Sequence, residues 1–400
     1  MRVVLDGVFN HSGRGFWPFH HVVENGSQSP YVDWFYVNHE ALAAGRPLRA
    51  YPSLEEGRAL DDAAAAEVQR RGDVSVKHLG YRAWWDLPAL PKLNTDNPFM
   101  REHLMSAAEH WLRVGIDGWR LDVAEEIDAG FWREFRERVR AANPDAYIVA
   151  EIWREKPEWL TGDTFDALMN YPLTEALLSF TAARQLDMDV LRSQHEYRDF
   201  VRPTDGPGFA AALEHLVTMY RPESIAAQLN LLGSHDTARY VTIAGGDTAS
   251  FRLALLAIMT LPGAPCIYYG DEIGLEGSHD PDSRRAFPWD EARWDRELLE
   301  FCRAATALRH ARPVLRHGDY RTLAASGNAV AYARMGDGDV AVVVLNAGDE
   351  GARLSFESAD LAGRSLAAAD LPGARLALST DGDRVVVEIG PRAGGVLLSG

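Results

Sequence analysis

Cysteine is scarce in this sequence, since the 400 residues contain two, Cys266 and Cys302. Two cysteines are too few for a disulfide framework, and their surroundings lack the spacing of metal ligands. We therefore interpret both as small, buried, apolar side chains. With 46% hydrophobic residues, the chain can bury a large core, and we expect one large domain and a smaller one.

Long apolar runs and an excess of positive charge are also lacking. No run reaches the length of about 18 apolar residues that a membrane span needs, and Asp6 interrupts the first run before it could act as a signal peptide. Acidic residues outnumber basic ones by 58 to 41, so the formal net charge is −17. Nucleic acid and anionic membranes repel such a charge, and we expect neither as a partner. The protein is expected to be cytoplasmic if its first residue is the true start.

Six short apolar runs end in polar residues and are followed by helical patterns. The runs are RVVLDGVFN, GIDGWRLDVA, DAYIVAEIW, FDALMNY, AAQLNLLGSHD and PCIYYGDE. Continuous apolar runs of this length are typical of parallel strands buried on both faces. The segments 97–115 and 129–144 have apolar residues at helical spacing, and Pro98 can lie in the first turn of the former. The alternation predicts an α/β fold with right-handed crossovers, either an open sheet or a closed barrel.

Two regions depart from this alternation. Residues 12–95 are rich in aromatic residues and proline, which indicates an inserted subdomain or a long functional loop. From about Gly318 onward, short β-rich runs are separated by Gly, Asp and Asn turns. This pattern predicts a small antiparallel β-sandwich.

Charged side chains follow three of the predicted strands. Arg120 and Asp122 are two residues apart, so on a strand they point to the same side, and the guanidinium can orient the carboxylate and keep it ionised. Glu151 ends another strand, where burial would raise its pKa and let it hold a proton near neutral pH. His235 and Asp236 end a third. In an α/β barrel, the carboxyl ends of the strands converge on one pocket.

A single acidic residue at a strand end is more often a helix cap or a surface charge, and a single histidine is more often structural. Recurrence after three strands favours catalysis, and paired carboxylates without metal-ligand spacing suggest glycoside hydrolysis. Aromatic rings suit the faces of sugars, although each ring alone is more often part of a core. The aromatic residues near these segments are Trp17, Tyr36, Trp84, Trp85, Trp153 and Tyr171.

Four segments, LDGVFNH, GWRLDVAEEI, YIVAEIW and LLGSHD, resemble in order the signature segments of the α-amylase family of glycoside hydrolases, family 13. LPKLN at 90–94 resembles an additional segment of that family. The branch that contains neopullulanase, cyclomaltodextrinase and maltogenic amylase is indicated by FWPFHHVVENGSQSPYVDWFYV, FDALMNYPLTEALLSF and PCIYYGDEIGLEGSHDPDSRRAFPWD.

The resemblance implies roles for individual residues. Asp122 matches the nucleophile, Glu151 the acid/base and Asp236 the transition-state stabiliser. His11, Arg120 and His235 match groups that orient the nucleophile or bind sugar hydroxyls. Trp17, Trp153 and Tyr171 are further candidates for substrate binding because they are aromatic and lie near these segments. Asp6 and Asn10 are expected to be structural residues near the site.

The resemblance also implies a (β/α)8 TIM barrel with an inserted subdomain after its third strand and a C-terminal antiparallel β-sandwich. The first apolar run matches the third barrel strand, so we expect a barrel that lacks its first two βα units. The expected divisions are the third strand at 1–11, the inserted subdomain B at 12–95, the rest of the barrel at 96–315 and the β-sandwich at 316–400.

The implied activity is retaining hydrolysis of α-1,4-glucosidic bonds in maltooligosaccharides, cyclodextrins or pullulan. An α-glucanotransferase, an α-glucosidase or a non-catalytic glucan-binding homologue are the alternatives. Glu125 stands where the branch usually has Asn, which leaves hydrolysis and transglycosylation both open. No cofactor is expected to be required and no metal ligand is assigned, although Asn10 matches a position that can lie near calcium. A homodimer is expected only together with the N-terminal domain of that branch.

Overall fold

A computed structural model describes residues 1–58, 73–361 and 363–400 of the chain. Part of the predicted insert, residues 59–72, therefore lies outside the described residues. The described chain forms two compact units. The first unit comprises Met1–Ile152 and Thr161–Phe165, and the second comprises Trp153–Leu160 and Asp166–Gly400.

The first unit contains three parallel strands, β1 (Val4–Gly7), β2 (Gly118–Leu121) and β3 (Tyr147–Ala150). Strand β2 pairs with β1 on one side and with β3 on the other. Gly118 permits the close approach of β3, because a Cβ atom there would lie 2.3 Å from the carbonyl oxygen of Tyr147. The carboxyl ends of the three strands lie at the same edge, as in other parallel sheets.

The helices of the first unit are α1 (Trp17–Asn25), α2 (His39–Ala43), α3 (Asp73–Leu79), α4 (Pro98–Val114) and α5 (Ala129–Ala142). A further helical stretch begins at residue 54. The predicted helices at 97–115 and 129–144 are confirmed as α4 and α5. Asn97 caps α4 by accepting hydrogen bonds from two backbone N–H groups, and Gly115 ends it in the left-handed conformation. Aromatic rings pack between the sheet and α5, namely Phe9, Trp119, Phe131, Trp132 and Phe135.

The second unit contains the remaining short strands, β4 (Ala167–Leu168), β5 (Leu229–Leu231) and β6 (Ala264–Cys266). Strands β5 and β6 are parallel, and Met169 forms a parallel bridge to Leu229. The structure therefore has a strand in each of the six apolar runs, as predicted. The helices of this unit are α6 (Tyr171–Thr181), α7 (Met188–Ser193), α8 (Gly206–Leu216), α9 (Pro222–Ala227), α10 (Tyr240–Ile243), α11 (Thr248–Thr260), α12 (Arg296–Ala311) and α13 (Val314–His317).

The end of the chain forms two antiparallel sheets. The strands are β7 (Asp319–Ser326), β8 (Ala329–Gly336), β9 (Asp339–Asn346), β10 (Ala352–Glu357), β11 (Leu366–Ala368), β12 (Leu376–Asp381), β13 (Arg384–Ile389) and β14 (Ala393–Ser399). One sheet has the order β11-β14-β9-β8-β7 and the other β10-β13-β12. Side chains of both sheets, among them Val342, Val387 and Leu397, form one buried cluster. This is the predicted β-sandwich arrangement, in which alternate residues of each strand face a shared core.

Both cysteines are free thiols, with Cys302 buried in α12 and Cys266 partly buried in β6. Burial raises the pKa of both thiols, to about 12 for Cys302, so each behaves as an apolar side chain at neutral pH. No helix in the described ranges is long and apolar enough to cross a membrane.

Candidate active site

Arg120 lies at the centre of a cluster of carboxylates in the first unit. Its Nη1 donates hydrogen bonds to Asp6 Oδ1 at 2.8 Å and to Asp122 Oδ1 at 2.7 Å. Its Nη2 lies 3.1 Å from Glu151 Oε2. The strand register explains the grouping, because Asp6 on β1 lies opposite Arg120 on β2, and Glu151 directly follows β3. We call Asp6, Arg120, Asp122 and Glu151 the Arg120 cluster.

Three of the four side chains of the Arg120 cluster are largely shielded from solvent, whereas Asp6 is 51% exposed. The exposed fraction of the side chain is 12% for Arg120, 18% for Asp122 and 5% for Glu151. Burial alone would lower the pKa of Arg120, but the three carboxylates outweigh it and raise that pKa, so the guanidinium stays charged. Because three carboxylates surround one cation, the cluster has an excess of negative charge when all are ionised. Such a site can stabilise a positively charged sugar transition state.

The backbone immediately after Asp122 is strained. Val123 has φ 39° and ψ 49°, in the left-handed region that β-branched residues rarely adopt. In this conformation its N–H donates a hydrogen bond to Glu151 Oε2 at 3.0 Å. Val123 therefore connects the segments that carry Asp122 and Glu151, in agreement with the frequent location of backbone strain at functional sites. Nothing in the local sequence indicated this conformation.

A second group of side chains surrounds His11, which follows β1. Asn10 Nδ2 lies 3.2 Å from His11 Nδ1, and the His11 ring stacks on Trp84 with centroids 4.8 Å apart. Lys92 Nζ donates hydrogen bonds to Asn10 Oδ1 and, at 3.0 Å, to the Glu126 carbonyl oxygen. Burial lowers the pKa of His11; Lys92 lowers it further, while Asp122 and Glu126 oppose the shift. Lys92 was not among the candidate residues, although it stands inside the quoted LPKLN segment.

Trp17 lies on α1 of the first unit and is 62% exposed. Its ring contacts Tyr31 at 5.0 Å and His21 at 5.7 Å between centroids. These contacts do not join Trp17 to Asp122 or Glu151, so its role in substrate binding stays a prediction.

In the second unit, Asp236 is held by two basic side chains. His235 Nε2 lies 3.2 Å from Asp236 Oδ2, and Arg284 Nη2 donates to Asp236 Oδ1 at 3.3 Å. Arg284 also donates through Nε to the His235 carbonyl oxygen at 2.8 Å. The side chains of Asp236 and His235 are 31% and 43% exposed, so both remain accessible to a ligand.

Tyr171 and Trp153 form a stacked pair in the same unit, with centroids 3.6 Å apart and ring planes at 12°. Tyr171 is fully buried, and its hydroxyl donates to Ser234 Oγ at 3.2 Å. Ser234 Oγ also accepts a hydrogen bond from the Asp236 N–H at 3.2 Å. Tyr171 thus supports the Trp153 ring and the Asp236 segment, while Trp153 is the partly exposed ring of the pair.

A buried ion pair supports the segment that carries Arg284. Arg239 donates through Nη1 to Asp271 Oδ1 at 2.8 Å and to the Tyr269 carbonyl oxygen at 2.7 Å. Its Nε donates to the Ser283 carbonyl oxygen at 3.1 Å, next to Arg284. Burial raises the pKa of Asp271 to about 7, against the opposing effect of Arg239. Both residues were missed by sequence reasoning, although Asp271 lies inside the quoted PCIYYGDE segment and Arg239 follows LLGSHD by three residues.

Comparison with known proteins gives consistent results. Residues 1–317 match the catalytic domain of the α-amylase family. A cyclomaltodextrinase of a Bacillus species is 42% identical over 349 residues, which are 86% of this chain and 54% of that protein. Neopullulanase 2 of Thermoactinomyces vulgaris is 38% identical over 353 residues, 88% of this chain and 52% of that protein. The chain therefore spans about half the length of the curated relatives it matches.

The crystal structure of Ttha1563 from Thermus thermophilus is 40% identical and has a TM-score of 0.85. The match covers 100% of this chain and 77% of that one. These findings confirm the predicted family and give the chain the fold class of a TIM-barrel catalytic domain followed by a β-sandwich. The chain belongs to the α-amylase family.

Proposed function

We propose that the protein is a retaining glycosidase that cleaves α-1,4-glucosidic bonds in maltooligosaccharides, cyclodextrins or pullulan. The observation that carries the proposal is the contact of one guanidinium, that of Arg120, with both Asp122 and Glu151 in a largely buried cluster. The substrate class is supported by the similarity to proteins named cyclomaltodextrinase and neopullulanase. The chain spans about half of those proteins, so the activity of the whole protein belongs to the proposal.

In this proposal Asp122 attacks the anomeric carbon, and the hydrogen bond from Arg120 orients its carboxylate. Glu151 donates a proton to the departing glycosidic oxygen and later takes one from water. Glu151 Oε2 already faces two donors, the Val123 N–H and the Arg120 guanidinium. In this proposal the proton that Glu151 carries is therefore on Oε1.

Asp236 is proposed as the transition-state stabiliser on the strength of its position in the LLGSHD segment. Its contacts with His235 and Arg284 hold the carboxylate in place, and a carboxylate is the group that can stabilise a cationic transition state. We further propose Trp153 as a surface for a sugar ring, because one face is backed by Tyr171 and the residue is partly exposed.

The remaining expectations are part of the same proposal. We propose that the site needs no metal, because carboxylate acid/base chemistry is sufficient and the Lys92 ammonium group already supplies positive charge at the Asn10 oxygen. Among the described residues, no group of three or more His, Cys, Asp or Glu side chains is arranged so that it could hold a metal ion. Four further expectations stay predictions. They are the insert over 12–95, the entry of the chain at the third barrel strand, a cytoplasmic location and a dimer formed through a further domain.

Three variants test the catalytic assignment, namely Asp122→Asn, Glu151→Gln and Asp236→Asn, assayed on maltotriose. Because catalytic groups act as a unit, each variant is expected to lower kcat by several orders of magnitude without unfolding the protein. The matched control is Glu158→Gln, whose side chain is 61% exposed. Proton NMR of the first product should show retention of the α configuration. Near-normal turnover by any of the three would remove that residue from the mechanism, and inversion would contradict the role of Asp122.

A further inference from the structure

Lys92 places a buried ammonium group within reach of three oxygen atoms from two segments. Its side chain is 8% exposed, and Nζ donates to Asn10 Oδ1, to the Glu126 carbonyl oxygen at 3.0 Å and to Glu126 Oε2 at 3.4 Å. An ammonium group has three N–H donors and no acceptor, so this arrangement uses its full capacity. Asn10 follows β1, and Glu126 ends the turn that follows Asp122 and Val123.

The position of Lys92 is set by backbone pairing. Lys92 forms an antiparallel bridge with His11, and the Leu93 N–H donates to the Asn10 carbonyl oxygen at 3.0 Å. The Lys92 N–H donates to the Arg82 carbonyl oxygen at 2.9 Å. The ammonium group is therefore held beside Asn10 by main-chain hydrogen bonds.

The orientation of the Asn10 amide follows from this contact by chemistry alone. An ammonium group can only donate, so the Asn10 atom that faces Lys92 must be the carbonyl oxygen. The amide nitrogen then faces His11 Nδ1 at 3.2 Å, and since it can only donate, Nδ1 must accept. A neutral imidazole that accepts at Nδ1 carries its proton on Nε2.

We propose that Lys92, acting through Asn10, fixes the tautomer of His11 in which Nε2 carries the proton, and thereby makes His11 a hydrogen-bond donor to a substrate hydroxyl group. Lys92 and Asn10 are then positioning residues, and His11 is the residue that touches substrate. The neutral form of His11 is favoured by burial, which lowers its pKa, and its ring plane is held by the stack on Trp84. The identity of the acceptor as a sugar hydroxyl rests on the proposed function, whereas the tautomer does not.

The tautomer can be measured directly by NMR. In protein labelled with ¹⁵N-histidine, a long-range ¹H–¹⁵N correlation spectrum distinguishes the protonated from the unprotonated ring nitrogen, and the signals of His11 are those absent from His11→Gln. At about pH 8, above the ordinary histidine pKa of about 6.5, we expect an unprotonated Nδ1 and a protonated Nε2. A proton on Nδ1 in the unchanged protein would overturn the proposal.

Asn10→Asp is the sharpest variant, because it replaces the donor that faces His11 with an acceptor of the same shape. One carboxylate oxygen can still accept from Lys92, and the other should draw the His11 proton to Nδ1. Lys92→Met should instead allow a mixture of tautomers, while Lys77→Met at an exposed lysine is the charge-matched control. Retention of the pure Nε2–H form in Asn10→Asp, or in a folded Lys92→Met, would overturn the proposal.

Kinetics give a second readout. Reversing the tautomer leaves a substrate hydroxyl without its donor, so Asn10→Asp should lower kcat/KM on maltotriose by about 10-fold to 100-fold. An unchanged kcat/KM in a variant whose tautomer has reversed would overturn the part of the proposal that concerns substrate. If the chain has no glycosidase activity and the tautomer still reverses, the proposed function fails while the role of Lys92 and Asn10 stands.

Discussion

At the scale of single residues, Arg120 positions the carboxylates of the site through the shape of its guanidinium group as well as through its charge. Its two terminal nitrogens contact different carboxylates, Nη1 those of Asp6 and Asp122 and Nη2 that of Glu151. A lysine would supply the same charge from one atom and could not reach the same oxygens in a fixed plane. The guanidinium is therefore a spacer between Asp122 and Glu151 as well as a counterion.

Arg120→Lys should separate these two roles. Because the charge is kept and the spacing is lost, we expect kcat on maltotriose to fall by about 100-fold or more, since small misplacements of reacting groups have effects of that size. Circular dichroism should show an intact fold. Arg133→Lys is the matched control, as Arg133 pairs with Asp163 on the surface. Full activity in Arg120→Lys would mean that charge alone is sufficient.

His11 supplies a prediction about pH. Burial lowers the pKa of His11 in the folded chain, so between that value and the unfolded pKa of about 6.5 the unfolded state binds more protons. The stability that neutral His11 contributes is complete above the unfolded pKa and is lost as the pH falls below it.

The stability advantage of the unchanged protein over His11→Gln should therefore shrink between about pH 7.5 and about pH 5. Urea denaturation at the two pH values measures this difference, and His39→Gln at an exposed histidine serves as the control. An advantage that grows on acidification would contradict the direction of the shift.

At the scale of elements, the parallel pairing of β1, β2 and β3 determines which side chains meet. Asp6 and Arg120 are 114 positions apart in sequence and directly opposite in the register of β1 and β2. The spacing between β2 and β3 depends on Gly118, because a Cβ atom at this position would lie 2.3 Å from the Tyr147 carbonyl oxygen.

Gly118→Ala tests the importance of that spacing. The added Cβ would lie 2.3 Å from the Tyr147 oxygen, so β2 and β3 must separate. We expect a loss of about 1–3 kcal/mol in the free energy of unfolding, together with reduced kcat because Arg120 and Asp122 follow Gly118 along the chain. Gly13→Ala is the matched control, since no atom lies within 4 Å of a Cβ built there. Equal stability of the two variants would show that β2 and β3 tolerate the change.

At the scale of the whole molecule, the segment that follows β1 returns to the site. Pro91 accepts a hydrogen bond from Ser12, Leu93 forms a bridge with Phe35, and Trp84 stacks on His11. The start and the end of the predicted insert are thus paired with each other in the first unit. We predict that this insert restricts access to the site.

Side-by-side rates on γ-cyclodextrin, pullulan and soluble starch test this restriction. If the insert covers one side of the site, the site is expected to accept short or cyclic glucans better than long starch chains. The value of kcat/KM should then be lowest on starch. A clear preference for starch would contradict the restricted site and favour the general α-amylases within the family.

Much of the architecture and chemistry could be predicted from the sequence, because the relevant signals are local. Six apolar runs predicted six strands, Pro98 and the helical spacing after it predicted α4, and the order of the quoted segments predicted the family. The pairing of Arg120 with Asp122 could also be predicted from the sequence, because alternate residues of a strand point to the same side.

Other features were decided by the tertiary structure, because they depend on contacts between residues far apart in sequence. The left-handed Val123 is held through Glu151, and the buried Lys92 is held by Asn10 and Glu126. Tyr171 was a candidate for sugar binding by residue type, yet packing buries it beneath Trp153. Sequence patterns determine which segments become strands and helices, whereas register and packing decide which side chains meet and which remain exposed.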